Sequence, residues 1–184
     1  MVLHPDFEEN NWIYLYFTAQ GEEELENRVE RYTFNLTQNQ LENSTTIISG
    51  IPGSSNHDGG RIGFGPDGKL YVSTGDAETG EWAQDTTILA GKILRVNEDG
   101  TIPGDNPFGN AVYSYGHRNP QGIAWDAEGQ LWSTEHGRSI LQSGFDEINR
   151  IEKGKNYGWP IIEGDETQSE MENPVLHSTA DYTW

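Results

Sequence analysis

The sequence predicts an all-β fold assembled from repeated small sheets, and three observations carry that prediction. The first is composition: 22 Gly and only 33% hydrophobic residues in 184, yet six Trp and eight Tyr, which suits many short strands joined by turns and excludes a disordered chain. The second is a repeat. Turn-forming clusters at His4-Pro5-Asp6-Phe7, Gly65-Pro66-Asp67-Gly68 and Asp126-Ala127-Glu128-Gly129 each lead into an aromatic and β-branched run, at Trp12–Thr18, Lys69–Thr74 and Gln130–Thr134. Gly68-Lys69-Leu70-Tyr71 and Gly129-Gln130-Leu131-Trp132 lie 61 positions apart. The third is that a second alternating run follows each time, at Arg28–Phe34, Lys92–Val96 and Glu147–Ile151, with the period of a half-buried strand.

Strand groups recurring at this spacing mean stacked sheets or propeller blades. Three such units use up the chain, whereas a propeller closes with four to eight blades. The 184 residues therefore read as one partial β-propeller domain of about three blades, truncated at both ends: the chain starts without a preceding strand and stops at Tyr182-Thr183-Trp184 inside what looks like a new one. No helix-period segment of ten or more residues stands out; Glu22–Arg31 is charged but lacks an apolar stripe.

Charge narrows the partners. Eleven basic against 30 acidic residues give a net charge of −19, which repels phosphate backbones and anionic lipids and argues against nucleic-acid and membrane partners. No run approaches the ~20 apolar residues of a membrane span, and Met1–Asp6 does not begin a signal peptide. The absence of Cys excludes thiol catalysis and thiolate metal sites.

Four polar clusters could carry chemistry. Asn56-His57-Asp58-Gly59-Gly60-Arg61 precedes the strand Ile62–Phe64; His57 can act as a general base at neutral pH, and the glycines allow close approach of a ligand, although a surface-loop His with turn glycines would look the same. Ser73-Thr74-Gly75-Asp76 ends the next strand, where in a blade meander the carboxylate can lie beside the His57 loop and orient the imidazole; a turn-forming Asp is the alternative. Tyr113–Gly122 concentrates Arg118, Asn119 and Gln121, groups that pair with carboxylates or polarise carbonyl oxygens, ahead of the strand Ile123–Trp125. Glu135-His136-Gly137-Arg138, Asp146-Glu147 and Asn156-Tyr157-Gly158-Trp159-Pro160 offer the carboxylate and carbonyl oxygens that Ca²⁺ prefers, without the spacing of an EF-hand. Asn-x-Ser/Thr sequons occur at Asn35 and Asn43.

Taken together and in order, these segments resemble the soluble quinoprotein sugar dehydrogenases, the glucose/sorbosone dehydrogenase family. The resemblance runs from His57 through Gly65-Pro66-Asp67-Gly68 to Thr74-Gly75-Asp76. It continues through Ala90–Val96, Asp99–Pro103 and Asn106-Pro107-Phe108 to Tyr115-Gly116-His117-Arg118-Asn119-Pro120-Gln121-Gly122, and ends with Glu135-His136-Gly137, Asp146–Asn149 and Gly154–Pro160.

The resemblance implies a six-bladed propeller with pyrroloquinoline quinone (PQQ) on its axis, oxidising aldose sugars to lactones with an external electron acceptor, in the periplasm or outside the cell. It places His57 as the base, Asp76 as the carboxylate that assists it, and Arg118 on the quinone oxygens with Asn119 and Gln121 beside it. Gly137 and Arg138 fall in the loop whose backbone carbonyls hold the Ca²⁺ that binds PQQ, and Glu147 and Tyr157 match ligands of a second, structural Ca²⁺. The chain departs from the family at Arg138, where Pro is usual, and in Ser139–Phe145. The family's later PQQ-clamping residues lie beyond Trp184, so these 184 residues alone are expected to bind PQQ weakly or not at all and to be inactive. A Ca²⁺-dependent lactonase on a similar propeller and a non-enzymatic extracellular binding module share the fold, which cannot by itself choose among them.

Overall fold

The computed structural model describes residues 1–21, 24–138 and 144–179. Three four-stranded antiparallel sheets follow one another along the chain among the described residues, each a meander in sequence order. The first holds β1 (Val2–Leu3), β2 (Trp12–Gln20), β3 (Leu25–Asn35) and β4 (Gln40–Pro52); the second β5 (Ile62–Phe64), β6 (Leu70–Thr74), β7 (Lys92–Val96) and β8 (Val112–Tyr115); the third β9 (Pro120–Trp125), β10 (Leu131–Glu135), β11 (Glu147–Ile151) and β12 (Leu176–His177). These are three propeller blades. The two runs that repeat in the sequence are the second and third strands of each blade, β2/β3, β6/β7 and β10/β11.

Three features differ from the sequence reading. A strand, β1, does precede the first repeat and pairs with β2 through Val2↔Tyr14 and Leu3↔Ile13. The long β4 has a polar, irregular pattern with register shifts against β3, so no clean alternation marks it. The Tyr113–Gly122 cluster is not one connection: it spans the end of β8, a four-residue link at 116–119 and the start of β9. The suggested strand at 182–184 lies outside the described residues, as does most of the divergent Ser139–Phe145 segment.

Blade 2 is buried on both faces, because its side chains alternate between two neighbours. Leu70, Val72, Leu94, Val96 and Val112 pack with Tyr14, Val29 and Ile51 of blade 1. On the other face, Tyr71 and Ile93 pack with Leu131, Ile151 and Tyr157. The buried face of blade 3 changes character along its length. Register pairs run from Leu131↔Ile151 through Ser133↔Asn149 to Glu135↔Glu147, from apolar to polar to acidic, and all six are buried. The acidic end of this gradient lies at the same end of the blades as the connections at 53–61, 75–91 and 116–119 and the segment 136–138.

The 75–91 connection is held by a buried ammonium group. Lys92 is fully buried, and its Nζ donates to the carbonyls of Trp82 (2.8 Å), Ala83 (3.0 Å) and Ala90 (2.7 Å). Lys92→Met leaves three acceptors without their donor in a site that excludes water, so a loss of about 3 kcal/mol is expected. A urea titration checks this: the midpoint should fall with an unchanged slope, and an unmoved midpoint would show that the carbonyls find other donors.

Candidate active site

Four connections from three blades converge on one open cavity of about 710 Å³ lined by Asn56, His57, Glu78, Arg118, Asn119 and Gln121, among others. The His57 loop is tied down from blade 1. Asp58 accepts from Asn27 Nδ2 (2.7 Å) and from the Ser54 N–H (3.0 Å), and its carbonyl accepts from the Tyr16 hydroxyl (2.6 Å). The chain then turns through left-handed backbone at His57 (φ 60°) and Gly59 (φ 67°). A side chain at Gly59 would sit 2.7 Å from the Ser73 carbonyl, and one at Gly75 would sit 1.8 Å from the His57 carbonyl. Two glycines therefore let the loop lie directly on the end of β6, where Asp76 follows.

Asp76 is 2% exposed and is the junction of the site. Its Oδ1 accepts from His57 Nδ1 (2.8 Å) and from the Glu78 N–H (3.0 Å), and its Oδ2 accepts from Trp159 Nε1 (2.8 Å). Its own N–H donates to the Arg118 carbonyl (2.8 Å). A carboxylate is an acceptor only, so the contact with His57 places a proton on Nδ1, which in the neutral imidazole puts the lone pair on Nε2.

Arg118 is 7% exposed. Its NH1 donates to the His136 carbonyl (3.1 Å), its guanidinium carbon lies 5.3 Å from the Trp159 ring centroid, and its Nε, shielded from water, has no hydrogen-bond partner. Its backbone N–H donates to Glu135, whose other oxygen meets His117 Nδ1 (2.9 Å). His117 Nε2 in turn meets Ser114 Oγ (2.9 Å). Asn119 Oδ1 accepts from the Gly59 N–H (3.0 Å), and Gln121 reaches His136 Nε2 (3.2 Å). His57, Asp76, Arg118, Asn119 and Gln121 are thus brought together from loops up to 64 positions apart.

The four positions implied as metal ligands lie beside this group. Gly137 and Arg138 spend their N–H groups on Asp146 (3.0 Å) and Glu163 (2.8 Å). The Arg138 amide that meets Glu163 is one a proline could not supply, and the Arg138 guanidinium stacks on Trp159 at 5.0 Å. The Tyr157 phenol is fully engaged, donating to the Arg150 carbonyl (2.6 Å) and accepting from the Glu152 N–H (2.8 Å), with its ring stacked on His117. Only its main-chain oxygen could serve a cation. Among the described residues no three His, Asp or Glu side chains form a metal cluster, so a Ca²⁺ ion here would depend on backbone carbonyls.

Sequence reasoning placed Trp159, His117 and His136 only within longer motifs, with no role of their own, and did not single out Glu78. Trp159 lies 83 positions from Asp76, and nothing local links the two.

The glucose/sorbosone dehydrogenase family model matches residues 1–183. The chain belongs to the glucose/sorbosone dehydrogenase family. It is 38% identical over 190 residues to quinoprotein glucose dehydrogenase B of Acinetobacter calcoaceticus, covering 88% of this chain and 39% of that protein. It is 36% identical over 171 residues to aldose sugar dehydrogenase YliI of Escherichia coli, covering 88% of this chain and 45% of that protein. The PQQ-bound aldose sugar dehydrogenase of Streptomyces coelicolor superposes with a TM-score of 0.87 at 40% identity, over 96% of this chain and 52% of that one. The chain spans less than half the length of these curated relatives. As expected from the sequence, this member of the glucose/sorbosone dehydrogenase family has an all-β propeller architecture. No helix among its described residues is long and apolar enough to cross a membrane.

The acidic end of blade 3 gives this family member a pH signature. Burial, then the facing Glu135 charge and that of Glu163, pushes Glu147 up to about 7 from 4.5. Between those values the folded chain binds a proton that the unfolded chain does not, so the contribution of Glu147 to stability is complete below pH 4.5 and is lost as pH rises through 7. With chelator present, urea midpoints should therefore fall from about pH 5 to about pH 8 more steeply for the parent than for Glu147→Gln. Parallel curves would show that Glu147 titrates normally.

Proposed function

We propose that the protein containing this chain oxidises aldose sugars to lactones with PQQ, outside the cytoplasm, and passes the electrons to an external acceptor. The observation that carries this reading is that the His57–Asp76 pair and the buried Arg118 open onto the same cavity. The residues fit the cofactor. PQQ is a flat anion with carboxylates and quinone oxygens, and the Arg118 Nε is a buried donor lacking a partner, beside Asn119 and Gln121. When bound, PQQ supplies the two-electron acceptor for hydride, and Ca²⁺ at the Gly137–Arg138 carbonyls supplies a Lewis acid.

The chain's own groups do the rest. His57 Nε2 accepts the proton of the anomeric hydroxyl as the C1–H bond gives up hydride, and the carbonyl of the lactone forms. Asp76 stabilises the imidazolium that results and prevents ring rotation. Arg118 presents positive charge where negative charge develops, in a setting shielded from water. The lactonase alternative makes no use of Arg118 and Asn119, whereas both line this cavity.

In the protein loaded with PQQ and Ca²⁺, aldose-dependent dye reduction is expected, and His57→Ala should lower its rate by roughly 10²–10⁴-fold. A variant as active as the parent would remove His57 from the base role. Chelation should abolish activity and added Ca²⁺ should restore it; full activity in chelator would remove Ca²⁺ from the reaction.

A further inference from the structure

We propose that Trp159 is a positioning residue for the oxidising site: its indole N–H fixes the Asp76 carboxylate that holds His57, and its ring face carries the Arg118 guanidinium. The inference rests on the function proposed above. A carboxylate turns about a single bond and offers two equivalent oxygens, so one donor cannot fix it. At Asp76 the His57 and Glu78 N–H groups occupy Oδ1, and the indole occupies Oδ2 from the other side. With both ends engaged, the carboxylate plane is set, and with it the tautomer and orientation of the imidazole. The same ring lies under Arg118 at 5.3 Å and Arg138 at 5.0 Å, an arrangement favourable for cations over an indole face.

Trp159 is itself held by contacts unrelated to the reaction. Its N–H donates to the Gly116 carbonyl (2.9 Å), and its carbonyl accepts from Gln84 Nε2 (2.6 Å). The Gln84 and Asn156 amides pair in both directions (3.1 and 2.8 Å), and Asn156 Oδ1 also accepts from the Gly158 N–H (2.9 Å). Gly80 packs against the ring as well: a side chain there would come within 3.4 Å of the indole nitrogen. A ring fixed this firmly acts as a jig joining the blade 2 loop that carries Asp76 to the link that carries Arg118. Trp159 thus combines an N–H donor that reaches Asp76 with a ring that meets two guanidinium groups.

Trp159→Phe keeps most of the ring face and removes the donor. The first readout needs no cofactor: imidazole ¹⁵N shifts at about pH 8 report which nitrogen of His57 carries the proton. The parent should show a single Nδ1–H tautomer, and Trp159→Phe, folded by circular dichroism, a mixture. In the PQQ- and Ca²⁺-loaded protein, Trp159→Phe should lower kcat roughly tenfold or more with sugar KM within about twofold, and add little to the loss caused by Asp76→Asn. A single Nδ1–H tautomer retained in Trp159→Phe, or losses that multiply in the double variant, would overturn the proposal. If the tautomer shifts but neither protein oxidises any aldose, the positioning role stands and the sugar-oxidation reading is what fails.

Discussion

The site depends on one buried carboxylate. Asp76 is almost wholly out of water, and an ion in that position is tolerated only if its lone pairs are met. They are met by three donors from three segments, His57, Glu78 and Trp159, while its backbone N–H binds the Arg118 carbonyl. Moving any one of these segments leaves an unpaired charge. The cost of burying the ion thus becomes the force that keeps the loops of two blades and the link between them in register.

The strain around it follows from the same requirement. His57, Ala77 and Glu78 are all non-glycine residues in left-handed backbone, close together at the mouth of the cavity. Such conformations persist where the surroundings over-determine them. Here Asp58 is anchored to blade 1, Gly75 lies against the His57 carbonyl, and Glu78 is engaged by Ser54, Ser55 and Asn56. The rigidity of the sheets is what allows a strained loop to keep an imidazole aimed at a fixed point.

Much of the architecture could be read from the sequence, because the repeat is strongest at the second and third strands of each blade, where Leu70-Tyr71-Val72 and Lys92–Val96 face two neighbours. The edge strands were harder. β4 is exposed along most of its length and irregular in register, so burial imposes no alternation on it. Within the site, His57, Asp76 and Arg118 stand out locally because glycines and polar runs flank them. Trp159 does not: it lies in a segment read only for the oxygens it could offer a cation, and nothing local shows its N–H reaching Asp76. For Tyr157, which the family resemblance implies as a metal ligand, the hydroxyl is committed to the Arg150 and Glu152 backbone, which leaves the main-chain oxygen for that role.

A net charge of −19 looks unsuited to a site for a multiply charged anion. The conflict is resolved by distance. At physiological salt the Debye length is about 8 Å, so acids scattered over the surface are largely screened at the cavity, whereas groups lining it act at close range through a partly dry medium. Arg118 and Arg138 lie over one indole, Arg61 donates to the Gln121 carbonyl, and His57 and His136 line the cavity with Arg118. A chain with only 11 Lys and Arg has thus placed three of its arginines around one end of two blades. The buried acids nearby offset part of this charge: Glu135 and Asp146 accept from the backbone N–H groups of Arg118 and Gly137, while Glu163 accepts from the Arg138 N–H and also lies 3.3 Å from the Arg138 Nε. These acids fix the loops, and the Arg118 guanidinium is the cation left facing the cavity, where an incoming anion meets it at close range.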